Sequence, residues 1–324
     1  MSDPRPLIIV TRRVPEPVGR ALAESFDVRL NPDNHRFSPP EMRRALSEAD
    51  GMMCTLFDPL GPDVLLPGPH RCRILANFGV GVDHVSLPAA RAAGLVVTNT
   101  PGVLTDCTAD LTIALILMTL RGLGSGERRL RAGQWTGWTP TDQLGRRVTG
   151  RTLGIVGFGR IGRAVAHRAT RGFGMPVLAW SRTRPEQELL EGFGVTWCDT
   201  LDRLLAESDV VSLHVPGSAE TANLMDAERL TRMKPGSVLI NTARGSLVDE
   251  DALVRSLDTG HLGGAGLDVF VNEPNLSPAL RAREDVVVLP HLGSATFETR
   301  VAMGMKAVEN LRSFFRGEAL PDPV

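Results

Sequence analysis

Three polar segments in the second half of the chain carry side chains that together could support the reduction of a carbonyl acid by hydride transfer. Arg244 lies in Asn-Thr-Ala-Arg-Gly at 241–245, Glu273 in Asp-Val-Phe-Val-Asn-Glu-Pro at 268–274, and His291 in Leu-Pro-His-Leu-Gly-Ser-Ala-Thr at 289–296. An arginine can fork onto a carboxylate and polarise the neighbouring carbonyl. A histidine can give a proton to the carbonyl oxygen as hydride reaches the carbon, and a nearby glutamate would hold the imidazolium oriented.

Each of these side chains also has an ordinary structural interpretation. The arginine is one of many in the chain, Glu273 could cap the turn at Pro274, and His291 could be a hydrogen-bonded core residue. The catalytic interpretation is favoured because all three follow β-rich apolar runs. Ligands of open α/β sheets bind beyond the carboxyl ends of such strands.

A glycine-rich loop, Gly-Phe-Gly-Arg-Ile-Gly at 157–162, precedes all three segments. It follows the apolar run Leu153–Val156 and opens a helix-compatible stretch at 161–170. The first glycine permits a tight turn, the second lets the backbone approach a pyrophosphate, and the third lets helix and strand pack closely. A chance match is the alternative in a chain with 33 glycines, but the strand–turn–helix context favours dinucleotide binding.

The next predicted strand, 176–180, should end where an adenosine ribose would lie. An NAD-preferring site usually places an acidic residue there, whereas this chain has Ser181, Arg182 and Thr183. Without a carboxylate at these positions a 2′-phosphate is not repelled, and these side chains can donate hydrogen bonds to it. The sequence therefore favours NADP(H) over NAD(H), with an exposed arginine-rich turn as the alternative.

The elements that must position these residues form two series of apolar runs alternating with helix-compatible segments. One series lies in the first hundred residues and the other begins at 152, which predicts an α/β fold of two doubly wound parallel-sheet domains with an active-site cleft between them. We expect a discontinuous substrate-binding domain, 1–100 plus 292–324, because the helical stretch 296–316 should pack on the first series. A Rossmann domain that binds the dinucleotide would occupy 101–291.

The composition of the chain limits which partners, metals and cellular locations are expected. Its formal net charge of −1 predicts no broad attraction to nucleic acid or an anionic membrane. The four cysteines form no CxxC or zinc-like cluster, so we expect reduced thiols and no metal. We see no leader-like segment and no apolar run long enough to span a bilayer, so the cytoplasm is the expected location. The apolar stretch 103–120 predicts a helix in a core or between domains or subunits, and we expect a homodimer.

Together these motifs resemble those of the D-isomer-specific 2-hydroxyacid dehydrogenases, most closely their glyoxylate/hydroxypyruvate reductase branch. The resemblance covers essentially the full length and includes Asn-Phe-Gly-Val-Gly-Val-Asp at 77–83, Thr-Asn-Thr-Pro at 98–101 and Leu-Thr-Asp-Cys-Thr-Ala-Asp at 104–110. It implies reduction of glyoxylate to glycolate and of hydroxypyruvate to D-glycerate. NADP(H) would be the preferred cofactor, NAD(H) the second choice, and His291 the proton donor.

The resemblance also implies roles at matching positions. Leu56 would form an apolar wall for the substrate, the backbone N–H groups of Val80 and Gly81 would bind its carboxylate, and Ser294 would lie beside it. Trp138 belongs to a segment that relatives use as a dimerisation arm and would reach the partner's pocket. A core leucine, a strand-closing turn and a locally packed tryptophan are the ordinary alternatives.

The cofactor side of the site follows from the same resemblance. Thr108 would touch a cofactor phosphate, unless it only caps its helix, and Asp268 would receive the nicotinamide carboxamide or lie just behind it. The expected cofactor-binding residues are Thr108, Gly157, Phe158, Gly159, Arg160, Ile161, Gly162, Ser181, Arg182, Thr183, His214, Val215, Pro216, Thr221, Thr242, Ala243, Arg244, Asp268, His291 and Gly293.

Alternative functions remain open at this point. The enzyme could act on another D-2-hydroxyacid, such as phosphoglycerate, a D-lactate-like acid or 2-ketogluconate. A non-catalytic dinucleotide sensor, resembling the corepressors built on this fold, would also keep these residues. Complementary side chains at one sheet edge favour an enzyme.

Overall fold

The computed structural model describes residues 4–66, 68 and 70–324, which form two compact units. The first unit comprises the chain up to Leu104 together with Ala295–Val324, and the second unit is Thr105–Ser294. The chain thus leaves the first unit after Leu104 and returns to it after Ser294, where we expected divisions after 100 and 291. Residues 1–3 of the expected first domain lie outside the described residues.

Short strands alternate with helices in the first unit, as the apolar runs predict. Its elements up to Leu104 are β1 (Leu7–Val10), α1 (Glu16–Ser25), β2 (Asp27–Arg29), α2 (Pro39–Glu48), β3 (Gly51–Cys54), α3 (Pro62–Leu65), β4 (Ile74–Asn77), α4 (Leu87–Ala92) and β5 (Val96–Thr98). The strands form one parallel sheet in the order β2-β1-β3-β4-β5. Because helices cover both faces, β3 and β4 are buried along their whole length.

The second unit continues the same alternation. Its helices and strands are α5 (Thr105–Arg121), α6 (Leu123–Arg131), β6 (Leu153–Val156), α7 (Arg160–Phe173), β7 (Val177–Trp180), α8 (Gln187–Phe193), β8 (Val195–Trp197), α9 (Leu201–Glu207), β9 (Val210–Leu213), α10 (Ala227–Arg232), β10 (Val238–Asn241), α11 (Glu250–Asp258), β11 (Gly264–Leu267), α12 (Pro278–Arg281) and β12 (Val286–Val288). The sheet is parallel throughout, in the order β12-β11-β10-β9-β6-β7-β8. The order reverses between β9 and β6, and a crevice at the strand carboxyl ends forms at such a switch point.

The final helix, α13 (Phe297–Arg316), belongs to the first unit. Its Val308 and Leu311 are buried in one apolar cluster with Ile8 of β1 and Ile74 of β4. Burial of this face explains why the last helix packs with the N-terminal series. The predicted class of two doubly wound α/β units is confirmed.

Helix α5 begins at Thr105, two residues after the start of the predicted apolar stretch. Its Ile113 and Ile116 are buried with Ile155 of β6 and Ile240 of β10, so the helix lies in the core of the second unit. In the described part of the chain no single helix is long and apolar enough to cross a bilayer. One pair bent by 69°, α5 followed by α6, meets the length and composition test together.

Strand β8 is an element that the apolar runs do not predict. It has three residues, and Thr196 at its centre is exposed. As an edge strand it pairs only with β7 in the described sheet. A short half-exposed strand has too few apolar side chains to be seen by periodicity.

Candidate active site

Six parallel strands of the second unit end at one edge of the sheet, and the expected cofactor and catalytic segments follow those ends. The glycine loop follows β6, Ser181 follows β7, and His214 follows β9. Arg244, Asp268 and His291 follow β10, β11 and β12 in the same way. Since parallel strands share one carboxyl edge, the fold gathers residues that are far apart in sequence.

The three glycines of the loop meet three different steric demands. Gly157 has φ 101°, and a Cβ there would lie 2.7 Å from the backbone carbonyl carbon of His214. A Cβ on Gly162 would lie 2.2 Å from the carbonyl oxygen of Gly157, so only glycine lets α7 approach the loop. A Cβ on Gly159 would meet nothing within 4 Å, so that side of the loop is open.

Helix α7 begins at Arg160, directly after this open side. The first N–H groups of a helix have no partner inside the helix, and its N-terminal end is electropositive. The loop therefore offers both space and donors for a diphosphate, and its residues fit a dinucleotide.

The turn after β7 has a more complex charge pattern than the sequence indicates. Ser181 Oγ donates to the carbonyl oxygen of Thr183 at 2.8 Å. Arg182 Nη1 donates to Glu220 Oε2 at 3.1 Å, from side chains that are 87% and 77% exposed. A carboxylate is thus present beside Arg182, although it comes from the loop after β9 and was missed by the sequence reasoning.

His214 and the loop that follows it are braced by side-chain hydrogen bonds. His214 Nε2 lies 2.9 Å from Ser212 Oγ, and burial lowers the pKa of the imidazole to about 3, which keeps the ring neutral. Thr221 Oγ1 donates to the carbonyl oxygen of Pro216 at 2.8 Å and accepts from Ser218 N–H at 2.9 Å. These bonds give the 214–221 loop one defined shape.

Arg244 lies in a turn that is stabilised by hydrogen bonds within its own motif, residues 241–245. Asn241 Oδ1 accepts from Ala243 N–H at 3.0 Å, and Asn241 Nδ2 donates to the carbonyl oxygen of Arg244 at 2.8 Å. A Cβ on Gly245 would lie 2.0 Å from the carbonyl carbon of Phe270, so the residue after the arginine must be glycine. Arg244 is half-buried, and its Nη1 donates to Ala243 O at 2.7 Å.

His291 and Glu273 form a close pair. Nδ1 of His291 lies 2.7 Å from Oε2 of Glu273, with side-chain exposures of 23% and 14%. Glu273 Oε1 accepts from Phe270 N–H at 3.0 Å, which anchors the carboxylate to the loop after β11. The carboxylate therefore orients the imidazole in a partly desolvated place.

Asp268 supports the loop that carries His291. The carboxylate is fully buried, with Oδ1 accepting from Leu292 N–H at 2.6 Å and Oδ2 from Gly293 N–H at 2.8 Å. The Asp268 carbonyl oxygen accepts from His291 N–H at 2.9 Å. Burial raises the pKa of Asp268 above its ordinary value, against the opposing effect of the two backbone N–H groups.

A chain of threonine hydroxyls reaches the same loop from α5. Thr108 Oγ1 donates to the carbonyl oxygen of Gly293 at 2.8 Å, and Thr112 Oγ1 donates to the carbonyl oxygen of Thr108 at 2.8 Å. Thr112 Oγ1 also lies 2.9 Å from Thr242 Oγ1 in the turn before Arg244. Thr112 was missed by the sequence reasoning, although its spacing of four from Thr108 places both on one helix face.

The remaining expected substrate residues lie in different places. Leu56, Val80 and Gly81 belong to the first unit, where Cδ2 of Leu56 would lie 3.1 Å from a Cβ on Gly79. Ser294 is half-buried and is the last residue of the second unit. Trp138 lies in the 121–150 segment and is 81% exposed.

A histidine–glutamate pair and a glycine-rich loop, which both follow strands at the carboxyl edge of one parallel sheet, are typical of nicotinamide-dependent oxidoreductases. The sequence profile described as D-isomer specific 2-hydroxyacid dehydrogenase, NAD binding domain, matches residues 113–293. The chain belongs to this family, in its glyoxylate reductase branch, and it is an NAD(P)-dependent oxidoreductase. The resemblance in the sequence is confirmed.

Similarity to individual proteins extends over the full length. A glyoxylate reductase of Thermococcus litoralis is 41% identical, over 99% of this chain and 97% of that protein. A glyoxylate reductase of Korarchaeum cryptofilum is 42% identical, over 99% and 96%. The crystal structure of an NADPH-dependent glyoxylate/hydroxypyruvate reductase from Sinorhizobium meliloti, in complex with NADP and malonate, matches with a TM-score of 0.87 and 39% identity, over 99% of this chain and 97% of that chain.

Proposed function

We propose that this enzyme reduces small 2-oxoacids, namely glyoxylate to glycolate and hydroxypyruvate to D-glycerate, with NADPH as its preferred cofactor. The observation that carries the proposal is the pair of His291 and Glu273, whose 2.7 Å contact orients a proton donor at the sheet edge that also carries the glycine loop. The names of the similar proteins from Thermococcus litoralis and Sinorhizobium meliloti support the substrate class.

The proposed roles of the protein groups follow from their chemistry. Reduced nicotinamide supplies the hydride when it is bound. Arg244 would bind the substrate carboxylate and polarise the adjacent carbonyl. From the first unit, the N–H groups of Val80 and Gly81 would donate to the carboxylate, and Leu56 would exclude water from the carbon chain. Ser294 would lie on the polar side of the substrate.

His291 is the proposed proton donor. Because Nδ1 faces Glu273, we assign proton delivery to Nε2, which would protonate the new alkoxide oxygen. Reduction requires the imidazolium and oxidation requires the neutral ring. The reduction rate should therefore fall as pH rises, while the oxidation rate should increase. A flat reductive profile, measured where the chemical step limits turnover, would contradict this role.

We propose the remaining cofactor-binding residues as the sequence predicts them. Backbone groups of 157–162 would hold the diphosphate, and the hydroxyl of Thr108 would join them by releasing the carbonyl oxygen of Gly293, to which it donates. Residues 214–216, Thr221, Thr242 and Ala243 would line the cofactor on the nicotinamide side. Gly293 would lie close to the ring, and Asp268 would act from behind it through the His291 loop.

The preference for NADPH rests on the turn after β7. Arg182 and Thr183 can donate hydrogen bonds to a 2′-phosphate, and Ser181 can do so by releasing the carbonyl oxygen of Thr183. None of the three is a carboxylate that would accept from the ribose hydroxyls of NAD. The Sinorhizobium protein is named as NADPH-dependent and was solved with NADP. The ion pair with Glu220 would oppose this preference without removing it.

We also propose a homodimer that uses the 121–150 segment, which we call the arm. Apolar side chains of the arm are exposed, among them Leu130 (60%), Trp135 (54%), Trp138 (81%) and Leu144 (75%). An isolated protein seldom presents so many large apolar groups along one segment. Sedimentation velocity should give twice the 35.0 kDa chain mass.

Trp138 tests how far the arm reaches. If it enters the partner's pocket, Trp138→Ala should raise KM for the larger substrates in a protein that remains dimeric. Unchanged kinetics with an intact dimer would rule out the contact while leaving the dimer itself in place.

The test of the proposed function is a set of initial rates for NADPH and NADH oxidation. The substrates are glyoxylate, hydroxypyruvate, pyruvate, phosphohydroxypyruvate and 2-ketogluconate, with wild type and His291→Ala. Rapid NADPH-dependent reduction of the first two acids, lost in the variant, is the expected result. Faster turnover with NADH would overturn the cofactor preference, and faster turnover of another acid would overturn the substrate. Tight cofactor binding with no turnover would indicate a sensor.

A further inference from the structure

The turn at 79–81 of the first unit has all of its carbonyl oxygens engaged by hydrogen bonds. Asn77 Nδ2 donates to the carbonyl oxygens of both Gly79 (3.0 Å) and Gly81 (2.9 Å). Asn99 Nδ2 donates to the carbonyl oxygen of Val80 at 2.8 Å. Two side-chain amides therefore hold three consecutive carbonyl groups, and the N–H of Thr100 also donates to the carbonyl oxygen of Gly79 at 3.0 Å.

Fixing a carbonyl also fixes the N–H group of the next residue. A trans peptide is planar, and its C=O and N–H bonds point in opposite directions. Holding the Gly79 carbonyl thus aims the N–H of Val80 away from Asn77, and holding the Val80 carbonyl aims the N–H of Gly81 away from Asn99. No acceptor for either N–H lies within the part of the chain that the structure describes.

The side-chain amide of Asn77 is suited to holding the 79–81 turn, and the turn determines how that amide is oriented. The side chain is fully buried, and both hydrogens of its Nδ2 serve the turn. Its Oδ1 is buried without a partner, which costs free energy. The reversed amide would place Oδ1 against two carbonyl oxygens, so the turn determines the orientation. An ionised carboxylate at this position could not donate, and a protonated one could donate only once.

We propose that Asn77 is a positioning residue for substrate binding: through the carbonyl of Gly79 it aims the Val80 N–H at the substrate carboxylate, and through the carbonyl of Gly81 it fixes the far end of the same turn. Asn99 does the same for the N–H of Gly81. This inference rests on the proposed function, in which those two N–H groups bind the carboxylate. Its consequence is specific, because losing the amide should weaken binding of the 2-oxoacid and leave the cofactor loop and His291 unaffected.

The experiment compares Asn77→Asp with a matched control, Asn31→Asp. Asn31 is also buried in the first unit, and its Nδ2 likewise donates to two carbonyl oxygens, those of Thr11 (2.9 Å) and His35 (2.8 Å). Both variants lose two amide donors and gain a buried carboxylate, so both should melt at a lower temperature. Only Asn77→Asp should change substrate affinity.

The readouts are KM and kcat for glyoxylate, the dissociation constant of NADPH, and calorimetric titration of the NADPH complex with oxamate, an unreactive 2-oxoacid isostere. For Asn77→Asp we expect KM and the oxamate dissociation constant to rise about tenfold, the ratio for one lost hydrogen bond. The dissociation constant of NADPH and kcat should stay within about threefold of wild type, which is less than the effect expected from the loss of one hydrogen bond.

Each result decides the inference. If Asn77→Asp changes only the melting temperature, as Asn31→Asp should, Asn77 has no positioning role. If Asn77→Asp does not fold, Asn99→Ala replaces it, and unchanged oxamate affinity in that variant overturns the inference. If wild type neither turns over glyoxylate nor binds oxamate, the proposed function itself fails. Wild-type activity with unaltered variants rejects the inference alone.

Discussion

Replacing Asp268 with asparagine should test whether the carboxylate of this residue supports the loop that carries His291. The Asp268 carboxylate is buried and accepts from Leu292 N–H at 2.6 Å and from Gly293 N–H at 2.8 Å. Asparagine keeps the size and shape but has only one acceptor atom. Its amide nitrogen would face one of the two backbone N–H groups, donor against donor.

The expected magnitude follows from that lost bond. A hydrogen bond to a charged group contributes about 1.5–3 kcal/mol, which corresponds to a factor of roughly 10–150 in an equilibrium. The same loop holds His291 at φ 53°, a left-handed conformation that is unfavourable for a non-glycine residue. We therefore expect the loop to leave this conformation and kcat for glyoxylate reduction to fall by about 10- to 100-fold.

The assay is single-turnover oxidation of bound NADPH, which reports the chemical step, together with the NADPH dissociation constant. Asp209→Asn is the matched control, because Asp209 Oδ2 also accepts a backbone N–H, that of Thr152 at 2.9 Å, but before β9 rather than after a strand. The control should lose stability and keep its rate. Asp268→Asn with a wild-type rate would refute the reasoning, and a loss confined to NADPH affinity would instead indicate a contact with the cofactor.

Three further changes test other parts of the site. Glu273→Gln should lower kcat by about 10- to 100-fold, because the 2.7 Å charge-assisted bond to His291 is lost; rapid-quench rates within twofold of wild type would contradict the pairing. Glu220→Gln should tighten NADPH but not NADH in fluorescence titrations at low salt, because a carboxylate 3.1 Å from Arg182 opposes a 2′-phosphate; equal effects on both cofactors would contradict it. Burial lowers the pKa of His214 from 6.5 to about 3. Between these pH values the unfolded chain binds a proton on His214 that the folded chain does not. The free energy of unfolding is therefore unaffected by this group above pH 6.5 and decreases as pH falls toward 3, by at most about 1.4 kcal/mol per pH unit. The melting temperature should therefore fall less between pH 6.5 and 5 in His214→Asn than in wild type, and parallel profiles would show that the ring is not desolvated.

The two sheets and the glycine loop could be predicted from the sequence because each is marked by a pattern of neighbouring residues. A buried parallel strand is a short continuous apolar run, and a loop with fixed steric demands needs glycine at fixed spacing. Arg244, Glu273 and His291 were predicted together as catalytic residues because their chemistry is complementary and each follows such a run, and this stays a prediction. Strand β8 was missed since three half-exposed residues leave no periodic signal.

What only the tertiary structure decided is which polar groups meet across the fold. Nothing near Asp268 in sequence shows that its carboxylate would be used by the N–H groups of Leu292 and Gly293. The pairing of Arg182 with Glu220 joins residues still further apart along the chain. Residue types determined what chemistry was available at each position. Strand order and loop closure decided which groups came within hydrogen-bonding distance of each other, because hydrogen bonds are short-ranged and depend on three-dimensional placement.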